Sequence, residues 1–411
     1  MTATGLFLGA GASFESGMPL VWDLTAEIKA WLTPEKLREL NTGWRTQGTG
    51  NPDAVIESLV ASLLNQSMHY ENILGNLEVQ FKRPSNLRQA YNGLYGWLVE
   101  LVYHLLYFRH VQNETFIIRT LRYLEGIAGL ARENTPLWIF SLNHDLIVEC
   151  IAAHYDLRLD CGFSGANALP LRDKRGLRLG ELPVQSLGGD RINASGLDFT
   201  NLSEPGINLI KIHGALDVFT VNEGRDLIKL APTGSGVRGV LQSLRAANEN
   251  LLYADPRFLG GKAKTINEIT YADEAGVMQF MRRTLLAGAF KFEQYSTQVL
   301  PHAFLKQFQD YLLRVSRLVC IGYGCGDAHI NQILRHWLEF SGDRQLELVA
   351  PGTKICPSFL CHVASQVTLA DEFATDYLER YALSPLSTWE RAAKAGLRGA
   401  RVRQRQTRGY A

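Results

Sequence analysis

The chain contains no Cys-x-x-Cys pair: Cys150, Cys161, Cys320, Cys325, Cys356 and Cys361 stand singly or at wider spacings. That absence argues against a zinc ribbon, so no zinc is expected. Most of these thiols sit in apolar surroundings, as in Leu318-Val319-Cys320-Ile321, which reads as reduced core packing in a cytoplasmic protein. No run of about 18 uninterrupted apolar residues occurs, so no ordinary membrane span is expected. The start, Met1-Thr2-Ala3-Thr4, has no basic region, and the apolar run behind it breaks at Gly9, which points to a buried first strand rather than a signal peptide. Charge of one sign is lacking too. With 42 basic against 41 acidic side chains, no whole-molecule field would hold nucleic acid or an anionic membrane, and such a partner would need a local patch. What the 411 residues do have is a 46% apolar content, enough to bury a large core.

Periodicity organises that content. Gly5 to Gly9 reads as a short strand entering a glycine-rich turn, with Pro19 placed to open the next helix. From about Leu20 to Glu133 the pattern is helical nearly throughout, as in Ala54 to Leu64 and Leu94 to Phe108. Strands are expected at Leu137–Ser141, Ile207–Ile212, Arg317–Ile321 and Gln345–Val349, with helices after them, at Val237–Leu251, Ala303–Val315 and Ala328–Phe340 among others. Strands alternating with helices imply an α/β fold: a Rossmann-like parallel sheet with helices on both faces and a large early helical insertion. The expected division is a core of 1–24, 135–217 and 316–352, a helical insertion of 25–134, a mixed helical and loop segment of 218–315, and a C-terminal segment of 353–411. Residues 161–205, rich in Gly, Asn, Asp and Arg, read as long loops with short strands. The tail from Arg391 to Arg408 carries seven basic residues and no acidic one, with glycines that weaken a helix, and reads as a mobile arm.

Four polar segments follow predicted strands, at the carboxyl edge where open α/β sheets bind ligands. The first is Gly9-Ala10-Gly11-Ala12-Ser13, with Gly17 and Pro19 behind it. Close glycines let main-chain amides approach a pyrophosphate at a helix start. The third glycine of the dinucleotide fingerprint is missing, since Phe14 stands there, and a tight strand-to-helix turn is the plain alternative. The second is Ser141-Leu142-Asn143-His144-Asp145, a dense polar cluster whose alternative is an Asx-type helix cap. The third, Lys211-Ile212-His213-Gly214, offers an imidazole suited to proton transfer or else a structural histidine. The fourth, Ile321-Gly322-Tyr323-Gly324-Cys325-Gly326-Asp327, presents a bare surface for a ribose or adenine, with Asp327 alternatively capping the next helix.

In order and content these segments resemble the sirtuin-like NAD-binding family. Gly9, Ala10, Gly11, Ser13, Gly17 and Pro19 match its first motif, Asn143 and Asp145 its Thr-Gln-Asn-Ile-Asp, His213 and Gly214 its His-Gly, and Gly322-Tyr323-Gly324 its adenosine-side loop. The departures are specific. The family's deacylases carry four zinc-binding cysteines after His-Gly, and none lies between Gly214 and Val319; Leu20, Val21 and Trp22 replace their Asp-Phe-Arg. An early helical insertion without a zinc module is similar to the NAD-depleting effectors of bacterial anti-phage defence, and more closely to the sirtuin-like subunit that assembles with a HerA-type hexameric ATPase.

The resemblance implies an NAD glycohydrolase that takes NAD as substrate. Asn143 would orient water and ribose hydroxyls, His213 act as general base, and Asp145 hold the nicotinamide carboxamide. Amides around Ala10, Gly11, Ala12 and Ser13 would seat the pyrophosphate and Gly322 and Gly324 would face the adenosine half, with Gly9, Pro19, Ser141, Tyr323 and Asp327 also among the NAD-binding residues. A deacylase or ADP-ribosyltransferase is disfavoured by the missing cysteines, and a non-catalytic NAD or ADP-ribose-binding signalling module is the other reading. Apolar helix faces such as Leu94, Trp97, Leu98, Leu101 and Leu105 either pack on the chain's own core or serve a homo-oligomer and the ATPase. The basic tail is a candidate docking arm for an acidic partner or nucleic acid.

Overall fold

The computed structural model describes residues 3–194, 196–254, 266–285 and 303–407. Its strands, in chain order, are β1 (Thr4–Leu8), β2 (Leu137–Ser141), β3 (Leu159–Asp160), β4 (Gly165–Arg172), β5 (Arg178–Leu187), β6 (Ile207–Lys211), β7 (Val218–Val221), β8 (Asp226–Leu230), β9 (Glu268–Ala272), β10 (Met278–Arg283), β11 (Arg317–Ile321), β12 (Gln345–Val349) and β13 (Val367–Ala370). Seven of them form a parallel sheet in the order β13-β12-β11-β1-β2-β6-β3. β2 and β6 are buried at every position, as strands covered on both faces must be, which is why they read as unbroken apolar runs. The chain steps one way from β1 to β2 and the other way to β11 and β12. This topological switch beside β1 opens a crevice above the strand ends.

Helices cover both faces. One cluster holds Leu6, Leu8, Ile139 and Leu209 with the early helices, and the other holds Phe7, Phe140, Ile210 and Cys320 with the helices Ala303–Leu312 and Ala328–Phe340. The alternation of Leu6 and Leu8 against Phe7 is the period-two signature of a strand sharing its sides between two cores. Leu94 and Leu98 of the helix Arg88–Gln112 are fully enclosed, and Trp97, Leu101 and Leu105 pack partly buried on the same core, so this face is the chain's own interior. No described helix is long and apolar enough to cross a membrane.

Two expectations are corrected. Within 161–205, read as long loops with short strands, β4 and β5 are longer strands than expected, and with much of the mixed segment after them they form a second sheet of six antiparallel strands, β4-β5-β8-β7-β10-β9. The tail is not a mobile arm, for Thr388–Thr407 is a helix docked on the core; Arg408 lies outside the described residues. Gly396 and Gly399 each disfavour helix by about 1 kcal/mol, and the helix forms nonetheless where its basic side chains meet partners distant in the sequence. Arg391 and Lys394 pair with Glu379, Arg398 with Glu15 (2.8 Å) and Asp376 (2.7 Å), and Arg405 with Asp23 (3.2 Å). Arg401 lies 4.4 Å over the Phe14 ring and donates to the Met18 carbonyl. Most of the tail's charge is thus spent inside the chain, bracing the turn that follows β1.

Glu15 is buried, and Arg398 is its counter-ion. Removing one member of such a pair strands a charge, at a cost of about 3 kcal/mol. Arg398→Ala is therefore expected to lower the urea unfolding free energy by about that amount, and Glu15→Gln in the same background to restore part of it. Unchanged unfolding midpoints would show that the tail helix does not brace the core.

Candidate functional site

A cavity of about 630 Å³ lies above the switch point, within the size range of small-molecule and cofactor clefts. Gly9, Ala10 and Pro19 enter it after β1, Asn143, His144 and Asp145 after β2, His213 after β6, and Gly322, Tyr323, Gly324 and Asp327 after β11. Gly11, Ala12, Ser13 and Ser141, expected at the ligand, are not part of the wall. They sit behind it for identifiable reasons. The Gly11 amide donates to the Gly322 carbonyl (3.0 Å) and the Ala12 amide to the Gly9 carbonyl (2.9 Å), so these groups hold the loop rather than a phosphate. Ser13 and Ser141, both buried, take their hydrogen bonds from Asn143.

The two glycine loops interlock. A Cβ on Gly9 would lie 2.5 Å from the Gly322 carbonyl oxygen, and one on Gly11 would lie 2.7 Å from the Gly322 Cα. Gly322 has φ +66°, and a Cβ there would overlap the Ala12 nitrogen. These glycines allow backbone to meet backbone. Gly324 and Gly326, by contrast, face open space and leave bare surface for a ligand.

Asn143 is the latch between β2 and the first loop. Its Nδ2 donates to the Gly9 carbonyl (2.9 Å) and to Ser13 Oγ (3.1 Å), and its own amide donates to Ser141 Oγ (3.1 Å). The Gly9 carbonyl can only accept, so the NH₂ must face it, and with both its protons used Asn143 has the carboxamide oxygen to offer a ligand. That atom accepts hydrogen bonds from water or a hydroxyl. Asp145 Oδ1 accepts from the Ile147 amide (3.1 Å), an Asx-type turn one residue before Leu146, the N-cap of the helix Ile147–His154, and the residue also lines the cavity.

His213 is buried, and the turn behind it requires glycine. Gly214 has φ +79°, and a Cβ there would overlap the Thr284 carbonyl at the end of β10. Asp327 is the N-cap residue of the helix Ala328–Phe340, yet its side chain makes no capping hydrogen bond. One ligand atom each from His213, Asp327 and His329 lie within 4.8 Å of one another.

The remaining wall comes from the helical layer, and sequence reasoning missed most of it. Leu20, Val21, Trp22 and Leu24 from the first helical segment, His69, Tyr70, Glu71 and Asn72 around the start of the helix Tyr70–Lys82, and Leu106 enclose the cavity. Trp22 meets His69 edge to face at 5.5 Å, and the Tyr70 amide donates to Thr25 Oγ1 (2.9 Å), which fixes the two helices together. His329 was missed as well. Its only sequence signal is its place two residues after Asp327 at a helix start.

Below the cavity, Lys211 donates to the carbonyls of Asn143 (3.3 Å) and Asp145 and pairs with Glu149 (3.4 Å). Glu149 also faces Lys229 (3.4 Å), which is paired with Asp217. Burial alone would raise the Glu149 pKa, but the two ammonium groups outweigh it and hold the carboxyl below its ordinary value. Buried His110 donates from Nδ1 to the Leu106 carbonyl (2.8 Å) while its Nε2 accepts from the Leu146 amide (3.0 Å); that fixes a neutral imidazole, and burial pulls its pKa down.

No protein-family model matches the chain, and no curated protein does. Among solved structures it is similar to a Sir2 homologue–NAD complex (12% identity, 97% of this chain and 90% of that one, TM-score 0.39). A Sir2 homologue mutant bound to ADP-ribose (12%, 92% and 90%, 0.36) and one bound to 2'-O-acetyl ADP ribose (13%, 92% and 90%, 0.39) are also similar. Overlaps this low carry no argument about function.

The glycine geometry makes a differential test. Gly322→Ala is expected to cost about 2 kcal/mol or more, from the left-handed backbone plus the overlap with the facing loop, and to lower Tm by about 2 °C or more. Gly324→Ala should leave Tm unchanged, its Cβ meeting nothing. Equal melting temperatures for the two variants would contradict the interlocking of the loops.

Proposed function

We propose that this protein hydrolyses NAD, releasing nicotinamide and ADP-ribose. The observation that carries the reading is that Asn143 and His213, from two different strand ends, line one cavity together with both glycine loops. The motif resemblance supplies NAD as the substrate.

Cleavage breaks the bond between the ribose C1′ and the nicotinamide nitrogen. The electron pair goes to the departing ring, which leaves neutral, and positive charge builds on the ribose. Water adds to that carbon and its proton must be removed. Asn143 Oδ1 accepts a hydrogen bond from that water or a ribose hydroxyl, and His213 takes the proton, a step that contributes about 10²–10⁴-fold. Orientation matters more here than anion stabilisation. Leu20, Val21 and Trp22 stand in the cavity wall where the deacylase-type Asp-Phe-Arg is missing, and weaker shielding of the ribose from water there favours hydrolysis over transfer.

His213→Ala is expected to lower kcat by about 10²–10⁴-fold with NAD binding retained. Asn143→Ala should lose turnover and also loosen the glycine loop, so its nucleotide affinity falls too. Chromatography of NAD incubated with and without an acetylated peptide reads out both. Normal turnover by folded His213→Ala would overturn the general-base role, product formed only with the peptide would make the protein a transferase, and NAD bound but never cleaved would make it a signalling module.

The biological setting we propose is NAD depletion in bacterial anti-phage defence, in a homo-oligomer that docks a HerA-type ATPase. Trp31, Leu64 and Phe108 of the helical layer remain 46%, 59% and 47% exposed and give that layer apolar contact points. Light scattering of the chain alone and with the ATPase, beside the NAD assay, is expected to show an oligomer, a larger mixed complex and a changed rate. A monomer with the same rate in both samples would sink this assignment.

A further inference from the structure

His213 follows β6, whereas Asp327 and His329 follow β11, and β1 and β2 lie between those strands. Three strand spacings put β6 and β11 about 14 Å apart in the sheet. Yet ligand atoms of the three side chains converge to within 4.8 Å of one another above it, and the two imidazole rings stand 5.8 Å apart at 46°. All three residues line the cavity, so a group held by them would face its interior.

We infer that His213, Asp327 and His329 form a reversible binding site for a transition-metal dication, Zn²⁺ foremost. Two imidazoles and one carboxylate are the donor set of open, three-ligand metal sites, and imidazole nitrogen favours the borderline first-row ions over Mg²⁺ or Ca²⁺. With bonds of about 2.0–2.2 Å, ligand atoms around one ion lie roughly 3.4 Å apart, so no pair has to close by more than about 1.4 Å on loading. His329 and Asp327 sit on a helix start and both are part-exposed, where side-chain rotation suffices. Three ligands leave at least one coordination position open to the cavity, which makes this an exchangeable site, unlike a closed four-cysteine module.

The consequence rests on the hydrolase reading. A metal bound to His213 occupies the imidazole lone pair that would take the proton from water, and the ion also fills space at the ribose. Loading therefore blocks turnover and competes with NAD. Free metal in the cell becomes a brake on the enzyme.

The test uses the full chain, stripped with a chelator and titrated with Co²⁺ as a spectroscopic stand-in. One Co²⁺ per chain should bind with visible ligand-field absorption and without the near-ultraviolet thiolate band that cysteine ligation gives, and ADP-ribose should slow its loading. His329→Ala, His329→Gln and Asp327→Asn, each checked for an unchanged melting curve, should weaken binding by about 100-fold or more, since even outer-shell partners are worth 10–100-fold. Zn²⁺ should inhibit the wild type, with the half-inhibiting concentration rising by a similar factor in His329→Gln, each rate normalised to its own metal-free value. Absence of stoichiometric Co²⁺ binding, or equal binding by all the variants, overturns the site. Co²⁺ binding without NAD cleavage by the wild type upholds the site and removes the hydrolase reading instead. NAD cleavage undisturbed by metal at saturation removes the braking role.

Discussion

The ammonium group of Lys211 is the contact on which the site depends. It holds the carbonyls of Asn143 and Asp145 from below, and so supplies partners to the irregular stretch of backbone that follows β2. Buried carbonyls without partners would cost about 1–3 kcal/mol each, and the loop would not keep this course unaided. Lys211 is itself buried, and its charge is tolerable because Glu149 answers it and Lys229 and Asp217 complete the set. Each of the four comes from a different element: β6, the helix Ile147–His154, the start of β7, and β8. The group therefore ties the parallel sheet to the antiparallel one at the floor of the cavity. Replacing one member would strand another in a medium of low dielectric, which is why such sets persist or vanish whole.

The same economy shapes the upper side of the floor. Asn143 spends both amide protons on the first loop, the first loop spends its amides on the second, and Tyr323 ends its hydroxyl on Asn331 (2.8 Å) and the Asp327 carbonyl (3.2 Å). Groups expected to meet a ligand instead hold one another. What they leave presented is narrower than the motifs suggest: one carboxamide oxygen, the imidazoles of His144 and His213, the carboxylates of Asp145 and Asp327, and the open faces of Gly324 and Gly326. A site whose polar groups are locked by neighbours before the ligand arrives has less to lose in ordering when it binds.

How much of this could be read from the sequence follows from where the information is stored. The central parallel strands were legible because burial on both faces writes them as apolar runs, and β2 and β11 fall where those runs stand, while β12 was legible from the alternation of Leu346, Leu348 and Val349 with Gln345 and Glu347. Their polar ends were legible for the same reason, by contrast with the runs. The second sheet was not, since β4 and β5 carry Pro170, Pro183, Gly165 and Gly180 and owe their strand form to pairing rather than to any local preference. The tail helix escaped notice because its partners Glu15, Asp23, Asp376 and Glu379 lie elsewhere in the chain. His329 gained its meaning only when β6 and β11 were brought to opposite sides of β1 and β2.

The helical layer is the part whose contribution is hardest to see in one dimension, and the helix Arg88–Gln112 shows how it acts. Leu106 of this helix touches the cavity, His110 accepts from the Leu146 amide just beyond the Asn143–Asp145 loop, and Tyr103 donates to the Leu216 carbonyl just beyond His213 and Gly214. One rigid element thus touches the segments that carry both proposed catalytic residues. Its outer surface carries Phe108, which is 47% exposed. A small displacement of a packed helix moves everything bonded to it, because packed interiors shift between discrete arrangements rather than deform smoothly. In the assembly proposed above, a partner docked on this layer would bear on the segments that carry Asn143 and His213 through this one helix.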